Sequence, residues 1–332
     1  MVPRVPVPQV LVRGAGVAGL VTSVTLAERG ADVTLAEQGP RIGSGASWQA
    51  GGMLAPWCEA ETAPVEIMLH GEAAIDWWLA HVPDAVRAGS LVLAPARDQG
   101  ELLRFARRTD GHEWLDAEAI AALEPALIGR FGRALLYPRE AHLDPRAALA
   151  ALAARLQATG GSLQLDAGDY DRAAFTHVVD CRGFAARATV AALRGVRGEM
   201  LLLRCPDFAL RRPVRLLHPR HPVYLVPRAD HVFMLGATMV ESEQQGGITA
   251  RAAMELLGAA YTLHPALAEA EIIETGAGLR PSYPDNMPRV RVQEDGTISV
   301  NGMHRHGYLL APVLAAEVAG ILGLQASLGL HT

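Results

Sequence analysis

The chain has 332 residues, half of them hydrophobic, and 30 basic residues against 35 acidic ones give a formal net charge of −5. This length can bury a substantial core in one large or two medium domains, and the balanced charge argues against a nucleic-acid partner. Three widely spaced cysteines without a CxxC pair argue against a disulfide framework and a zinc site, so we expect no metal and a cytoplasmic location. The first residues also lack the apolar core of a signal peptide.

A glycine-rich turn follows the first predicted strand. Gly14, Gly16 and Gly19 open a helix, and Glu37 comes directly after a second predicted strand over 32–36. In this pattern the first glycine permits a tight turn, the second lets the backbone approach a pyrophosphate at the helix N-terminus, and the third lets helix and strand pack closely. The carboxylate of Glu37 can accept hydrogen bonds from ribose hydroxyls and would repel a 2′-phosphate. The motif therefore favours FAD or NAD over NADP.

Hydrophobic periodicity and turn residues predict the further elements. Up to residue 194 the pattern predicts helices over 66–81, 98–109, 116–123 and 144–159, and strands over 162–165 and 177–180. From residue 195 it changes to strands of alternating pattern at 200–204, 223–227 and 232–236, with a helix over 250–263 laid over them. A strand at 298–300 and an apolar helix over about 312–324 then return to the α/β pattern. We infer that both chain ends belong to one nucleotide-binding domain and that a second domain is inserted in pieces.

The segment 308–330 is almost wholly apolar and about long enough to span a bilayer. However, Pro312 interrupts it, Glu317 lies in its middle, and Gly320 and Gly323 weaken its helical tendency. We interpret the segment as a buried helix that covers a parallel sheet, and we expect no membrane insertion.

The discontinuous layout of the nucleotide-binding domain distinguishes FAD enzymes from NAD dehydrogenases. NAD dehydrogenases usually complete their sheet in consecutive βα units, whereas this chain leaves the nucleotide domain after a single fingerprint unit, as FAD enzymes do. Small and hydroxyl residues packed densely over 43–56 would let the backbone approach a flat ring and its phosphates. Three further sets of motifs accompany this segment: 224–228 with 236–239, 278–281 with 284–288, and 301–312.

Taken together, these motifs resemble the D-amino-acid oxidase superfamily of flavoproteins, and most closely the glycine oxidases of thiamine biosynthesis, the ThiO type. The resemblance covers nearly the whole chain. It implies an α/β fold, α+β overall, in which a discontinuous antiparallel-sheet substrate domain lies over the flavin of a Rossmann-type FAD-binding domain. The expected FAD-binding domain comprises residues 1–75, 138–194 and 275–332, and the expected substrate domain comprises 76–137 and 195–274.

The resemblance also implies which residues contact FAD. The attachment is expected to be noncovalent, because Ser282 and Tyr283 stand where relatives with a tethered flavin carry a cysteine. A helix expected to start near Ala311 would direct its positive end at the pyrimidine side of the ring, where reduced flavin carries negative charge. The implied FAD-binding residues are Gly14, Gly16, Val17, Ala18, Gly19, Glu37, Gln38, Ala46, Ser47, Gly51, Gly52, Met53, Gly183, Arg280, Met303, His304, Arg305, His306, Gly307, Tyr308 and Leu309.

For the substrate, the resemblance singles out Arg280, whose planar guanidinium can hold an α-carboxylate at two points, although an ordinary ion pair is the alternative. Tyr224 and Met239 would form the pocket wall opposite the flavin, although strand residues of these types commonly face a core. Arg305 would lie beside the substrate. His306 replaces a residue that is more often asparagine, which argues against a role in proton transfer.

The implied chemistry is transfer of hydride from the α-carbon of an amine to the flavin, followed by reduction of dioxygen to hydrogen peroxide. The leading hypothesis is oxidation of glycine or another small amino acid to the imine, in thiamine (thiazole) biosynthesis. Two alternatives stay open: a flavin dehydrogenase or oxidase of a secondary or D-amino acid such as sarcosine or D-proline, and an FAD-binding protein without turnover. The sequence does not rank these substrates, because pocket volume depends on side-chain placement. A homo-oligomer is suggested only by the observation that relatives are often homo-oligomers.

Overall fold

The computed structural model describes residues 7–218 and 220–324. The strands are β1 Gln9–Arg13, β2 Asp32–Ala36, β3 Met53–Leu54, β4 Ser90–Leu93, β5 Glu113–Asp116, β6 Arg133–Tyr137, β7 Ala141–His142, β8 Ser162–Gln164, β9 His177–Asp180, β10 Arg194–Arg204, β11 Val214–Leu216, β12 Val223–Pro227, β13 Val232–Gly236, β14 Val240–Glu241, β15 Glu271–Ser282, β16 Arg289–Val292 and β17 Ile298–Asn301. The helices are α1 Val17–Glu28, α2 Pro56–Glu59, α3 Val65–His81, α4 Gln99–Arg108, α5 Ala117–Leu123, α6 Pro145–Ala158, α7 Ala250–Leu263 and α8 Gly307–Ile321.

The first sheet has six strands in the order β16-β17-β9-β1-β2-β8. The pairs from β17 to β8 are parallel, and β16 joins the edge in antiparallel orientation. Val10, Val12, Val33 and Leu35 are fully buried, as expected of strands covered on both faces, and helices α1, α6 and α8 supply much of that cover. The parallel arrangement brings the carboxyl ends of β1, β2 and β9 to the same edge of the sheet, next to the start of α1.

The second sheet has nine strands and joins two distant parts of the chain. Its main order is β14-β10-β13-β12-β11-β4-β6-β5, and β15 pairs with β10 on the other side. Most pairs are antiparallel, and α5 and α7 pack on one face around a separate core. The mixed α/β fold class is thus confirmed. The division into two domains stays a prediction, and its boundary at 274/275 falls inside β15, which pairs with β10 over its whole length.

The predicted start of the C-terminal helix is wrong, because α8 begins at Gly307 and contains Pro312 in its interior. A proline cannot donate to the carbonyl four residues earlier, which here belongs to Tyr308. The indole N–H of Trp78 donates to that carbonyl instead, at 2.6 Å, so the helix continues through the proline. Among the helices of the described residues, none combines the length and the apolarity that crossing a membrane requires.

Candidate active site

A cavity of about 660 Å³ lies between the two sheets. One end is lined by Gly14, Glu37 and Gly183, which follow β1, β2 and β9. The other end is lined by Tyr224 and Arg280 of the second sheet. The cavity therefore connects the glycine-rich turn with the predicted substrate residues.

The glycine-rich turn is packed too tightly for side chains. Gly14 has φ +98°, and a Cβ there would lie 2.8 Å from the Cα of Arg182. A Cβ on Gly19 would lie 1.8 Å from the carbonyl oxygen of Gly14. Because Gly19 has no Cβ, helix α1 can pack directly against the turn. The hydroxyl of Ser47 accepts a hydrogen bond from the backbone N–H of Val17 at 3.0 Å, and its own hydrogen is left to donate to an anion at the start of α1.

Glu37 is held rigidly at the end of β2. Its two carboxylate oxygens accept hydrogen bonds from the backbone N–H of Ala15 at 2.8 Å and of Gly39 at 2.9 Å. A carboxylate can accept about four hydrogen bonds, so these two contacts leave capacity for a pair of hydroxyl donors in the cavity.

The residues of segment 46–51 all line the cavity. A Cβ on Gly51 would lie 2.8 Å from the ring of Tyr224, so this glycine lets the tyrosine lie across the backbone. The side-chain oxygen of Gln49 is buried without a hydrogen-bond partner. Tyr308 fixes the segment from the other side, since its hydroxyl donates to the carbonyl of Ser47 at 3.1 Å.

Arg280 extends across the second sheet at the far end of the cavity. Its guanidinium donates to the carbonyl of Thr238 at 3.1 Å and passes over Gly198, where a Cβ would lie only 2.2 Å away. Within residues 7–218 and 220–324, no carboxylate lies within 4.0 Å of the guanidinium nitrogens of Arg280, unlike an ordinary buried arginine in an ion pair. Burial lowers the pKa of Arg280, while the neighbouring Tyr224 and Glu59 oppose that shift.

The turn before α8 contributes one charged and two neutral side chains. Arg305 donates to the carboxylate of Glu59 at 2.7 Å. His304 shares a hydrogen bond with the hydroxyl of Ser282 at 2.6 Å, and burial lowers its pKa to about 3. Burial lowers the pKa of His306 to about 4. Both histidines are therefore neutral near pH 7, and neither adds a positive charge to the site.

The N-terminus of α8 opens on the same cavity, four residues earlier than expected. Gly307 and Tyr308 line the cavity, and Leu310 makes the first backbone hydrogen bond of the helix, to the carbonyl of His306 at 2.8 Å. The preceding N–H groups have no partner within the helix, so this end is positively polarised and can stabilise negative charge.

The structure brings most of the predicted site residues to the cavity and leaves some outside its lining. The predicted residues that line it are Gly14, Gly16, Val17, Ala18, Glu37, Gln38, Ala46, Ser47, Gly51, Gly183, Tyr224, Arg280, Met303, His304, Arg305, Gly307 and Tyr308. Those outside its lining are Gly19, Gly52, Met53, Met239, His306 and Leu309. Met239 is 60% exposed, so it does not form the pocket wall in this structure.

Sequence reasoning missed several cavity residues. Arg197 is held by Glu199 at 3.1 Å and donates to backbone carbonyls of the segment 244–247, part of which lines the cavity. Sequence reasoning also missed Glu59, which does not line the cavity but pairs with Arg305, which does. In the sequence, Glu59 stands out only as a charged residue directly after the apolar stretch that ends at Cys58. Its partner Arg305 is 246 residues away, so the pair cannot be recognised from local sequence.

Comparison with known proteins identifies the family. The model of the family described as DAO, FAD dependent oxidoreductase, matches residues 9–321. The chain belongs to this family. A DAO-family relative, the putative thiamine biosynthesis oxidoreductase ThiO of Rhizobium etli, is 57% identical over 317 residues, covering 94% of this chain and 95% of the relative. A glycine oxidase of Pseudomonas aeruginosa is 29% identical over 350 residues, covering 95% and 94%. The predicted family is thus confirmed, and with it the FAD cofactor.

A solved structure shares the fold. The crystal structure of glycine oxidase from Geobacillus kaustophilus superposes with a TM-score of 0.80 at 24% identity, covering 98% of this chain and 99% of that one. The residues of this chain also fit FAD. The glycine turn and Ser47 suit a pyrophosphate, and the spare acceptor capacity of Glu37 suits a ribose.

Proposed function

We propose that this DAO-family enzyme oxidises glycine or another small amino acid to the imine, with dioxygen reduced to hydrogen peroxide, in the formation of the thiazole of thiamine. The observation that carries the proposal is Arg280, a guanidinium without an acidic partner among the described residues, at the cavity end nearest α8. Its position suits a ligand carboxylate, because such a cation gains most from a two-point contact with an anion. The high identity to a relative named for thiamine biosynthesis supports the same activity.

When bound, FAD supplies the hydride acceptor. The chain itself binds and orients the substrate. Arg280 holds the carboxylate, Tyr224 limits the space over Gly51, and the positively polarised start of α8 favours negative charge nearby. The positive charge of Arg280 also disfavours a second cation beside it, so the site favours an amino group in its uncharged form, which is the form able to release hydride.

The proposal is tested by measuring hydrogen peroxide from the FAD-loaded protein in air. Glycine, sarcosine, D-alanine and D-proline are compared with methylamine and acetate, each of which carries only one of the two groups that the site recognises. We expect peroxide from glycine or another of the small amino acids and none from the two controls. Absence of peroxide with every amino acid, in protein that retains FAD, would contradict the proposal. Flavin reduction without rapid reoxidation in air would instead indicate a dehydrogenase.

A homo-oligomer and a cytoplasmic location stay predictions. Light scattering of the FAD-loaded protein at two concentrations tests the first, and cell fractionation tests the second.

A further inference from the structure

Two arginines reach the substrate end of the cavity, but their surroundings differ. Arg280 has no carboxylate within 4.0 Å among the described residues. Arg305 has one, because a nitrogen of its guanidinium lies 2.7 Å from the carboxylate of Glu59. The side chains of Arg305 and Glu59 are 28% and 17% exposed, so this ion pair is partly shielded from water.

Glu59 is held in place by the short helix α2. Its backbone N–H donates to the carbonyl of Ala55 at 3.0 Å, and the preceding residue, Cys58, donates to the buried carboxylate of Glu140 at 2.7 Å. Although burial disfavours its charged form, Arg305 and its other basic neighbours hold the pKa of Glu59 below the usual value, so its negative charge is present near pH 7. The pair is therefore a fixed feature of the site.

Arg280 and Arg305 both line this end of the cavity, and of the two only Arg280 lacks a carboxylate partner among the described residues. Arg305 and Glu59 cancel, His304 and His306 are neutral, and Arg280 keeps its full charge. Arg215, which does not line the cavity, lies 3.4 Å from Glu61 and 3.9 Å from Glu59. One guanidinium without a carboxylate partner matches one substrate carboxylate, whereas a second carboxylate would have to compete with Glu59 for Arg305.

We propose that Glu59 determines the substrate class: by pairing with Arg305, it restricts the site to amino acids with a single carboxylate. This inference rests on the proposed amino acid oxidation and adds a specificity residue to it. Glu59 acts through Arg305 and is a positioning residue. Removing its charge releases Arg305 to bind a second carboxylate, which adds a charge-assisted hydrogen bond for a dicarboxylic ligand.

The test compares Glu59→Gln with the unchanged FAD-loaded protein. Dissociation constants of acetate and malonate, which differ by one carboxylate, are followed through the flavin absorbance spectrum. We expect Glu59→Gln to improve malonate binding relative to acetate by about 10-fold or more. With turnover, kcat/KM for D-aspartate should rise relative to D-alanine in the same proportion. A purely structural role for Glu59 predicts instead that both ligands weaken equally, and that result would overturn the proposal.

Three further variants make the result specific. Glu101→Gln removes an exposed acid that pairs with Arg104 instead, so it should keep the original acetate-to-malonate ratio. The double variant Glu59→Gln with Arg305→Leu should lose the gain, because no second guanidinium is left to release. Glu59→Ala repeats the test without the amide; if neither Glu59 variant binds FAD, Glu59 has a folding role and the proposal is wrong.

The binding measurement also separates this proposal from the proposed function. A changed malonate ratio in a protein that oxidises no amino acid would support the role of Glu59 and contradict the oxidase activity. An unchanged ratio in an active oxidase would do the reverse.

Discussion

We expect substrate binding to depend on Arg280 more than on any other residue. It crosses β10 at Gly198, beside Tyr224, and its guanidinium hydrogen-bonds the carbonyl of Thr238, so its position is determined by the backbone of the second sheet. A residue held in this way can bind a carboxylate without losing further side-chain entropy.

We therefore expect Arg280→Ala to raise KM by about 100-fold or more, since a two-point contact with a carboxylate is lost, while FAD remains bound. Steady-state kinetics with the best amino acid, and the flavin content of the purified variant, measure the two effects. Arg204→Ala is the matched control, because it removes an exposed ion pair with Glu271 from the same sheet. An unchanged KM in Arg280→Ala would remove its assigned role.

Glu140 is completely buried. Its carboxyl group makes the free energy of unfolding depend on pH. Burial raises its pKa from 4.5 to about 7. Between these two values the unfolded chain has lost the proton and the folded chain retains it, so the free energy of unfolding falls as pH rises.

Glu140→Gln should remove this dependence, because the amide keeps an acceptor for the backbone N–H of Cys58 but does not titrate. Relative to the unchanged protein, the variant should gain up to about 3 kcal/mol of stability between pH 4.5 and pH 8. Urea unfolding at several pH values measures the difference. Because the histidines titrate in both proteins, their contribution cancels, and parallel pH curves would show that Glu140 is charged in the folded state.

At the scale of elements, α1 is positioned by the absence of a side chain at Gly19. A Cβ there would lie 1.8 Å from the carbonyl oxygen of Gly14, so the helix would have to move away from the turn. Gly19→Ala should lower the free energy of unfolding by about 3 kcal/mol and weaken FAD binding, as measured by urea unfolding and flavin titration. Gly258→Ala in α7 is the control, because its Cβ would meet open space, and it should be neutral or stabilising by up to about 1 kcal/mol. Equal effects of the two substitutions would contradict this account of α1.

Helix α8 depends on a hydrogen bond from outside itself. Trp78→Phe removes the donor to the Tyr308 carbonyl and should cost about 1–2 kcal/mol of stability. In a Pro312→Ala background the helix can make this hydrogen bond with its own backbone, so the same Trp78→Phe substitution should cost less. Thermal or urea unfolding of the four proteins of this double-mutant cycle measures the coupling. An identical cost in both backgrounds would mean that Trp78 does not compensate for the proline.

Elements dominated by local pattern were predictable from the sequence, and those that depend on distant partners were not. Strands β2, β9, β12 and β13 and helix α7 coincide with their predicted bounds, because periodicity and turn residues determine them locally. The start of α8 was not predictable, since Trp78 lies 230 residues from Tyr308. In the site, the glycine turn and Arg280 carry recognisable motifs, whereas the Glu59–Arg305 pair and the exposure of Met239 arise only from tertiary packing.

At the scale of the whole molecule, the cavity exists only when distant segments meet. The turn after β1, the segment 46–51, the strands β12 and β15 and the start of α8 come from both sheets and from both halves of the chain. A ligand that contacts all of them binds the folded state alone, so we expect FAD to stabilise the fold and to couple the two sheets.

The central claim is that this cavity places a small amino acid, held by Arg280, where it can reduce FAD. Anaerobic mixing of the FAD-loaded protein with glycine, sarcosine or D-alanine tests it most directly, by following the visible absorbance of the oxidised flavin. We expect at least one of these amino acids to bleach the flavin, and bleaching of the Arg280→Ala variant to require a far higher concentration of the same amino acid. Flavin that stays oxidised with all three amino acids would contradict it.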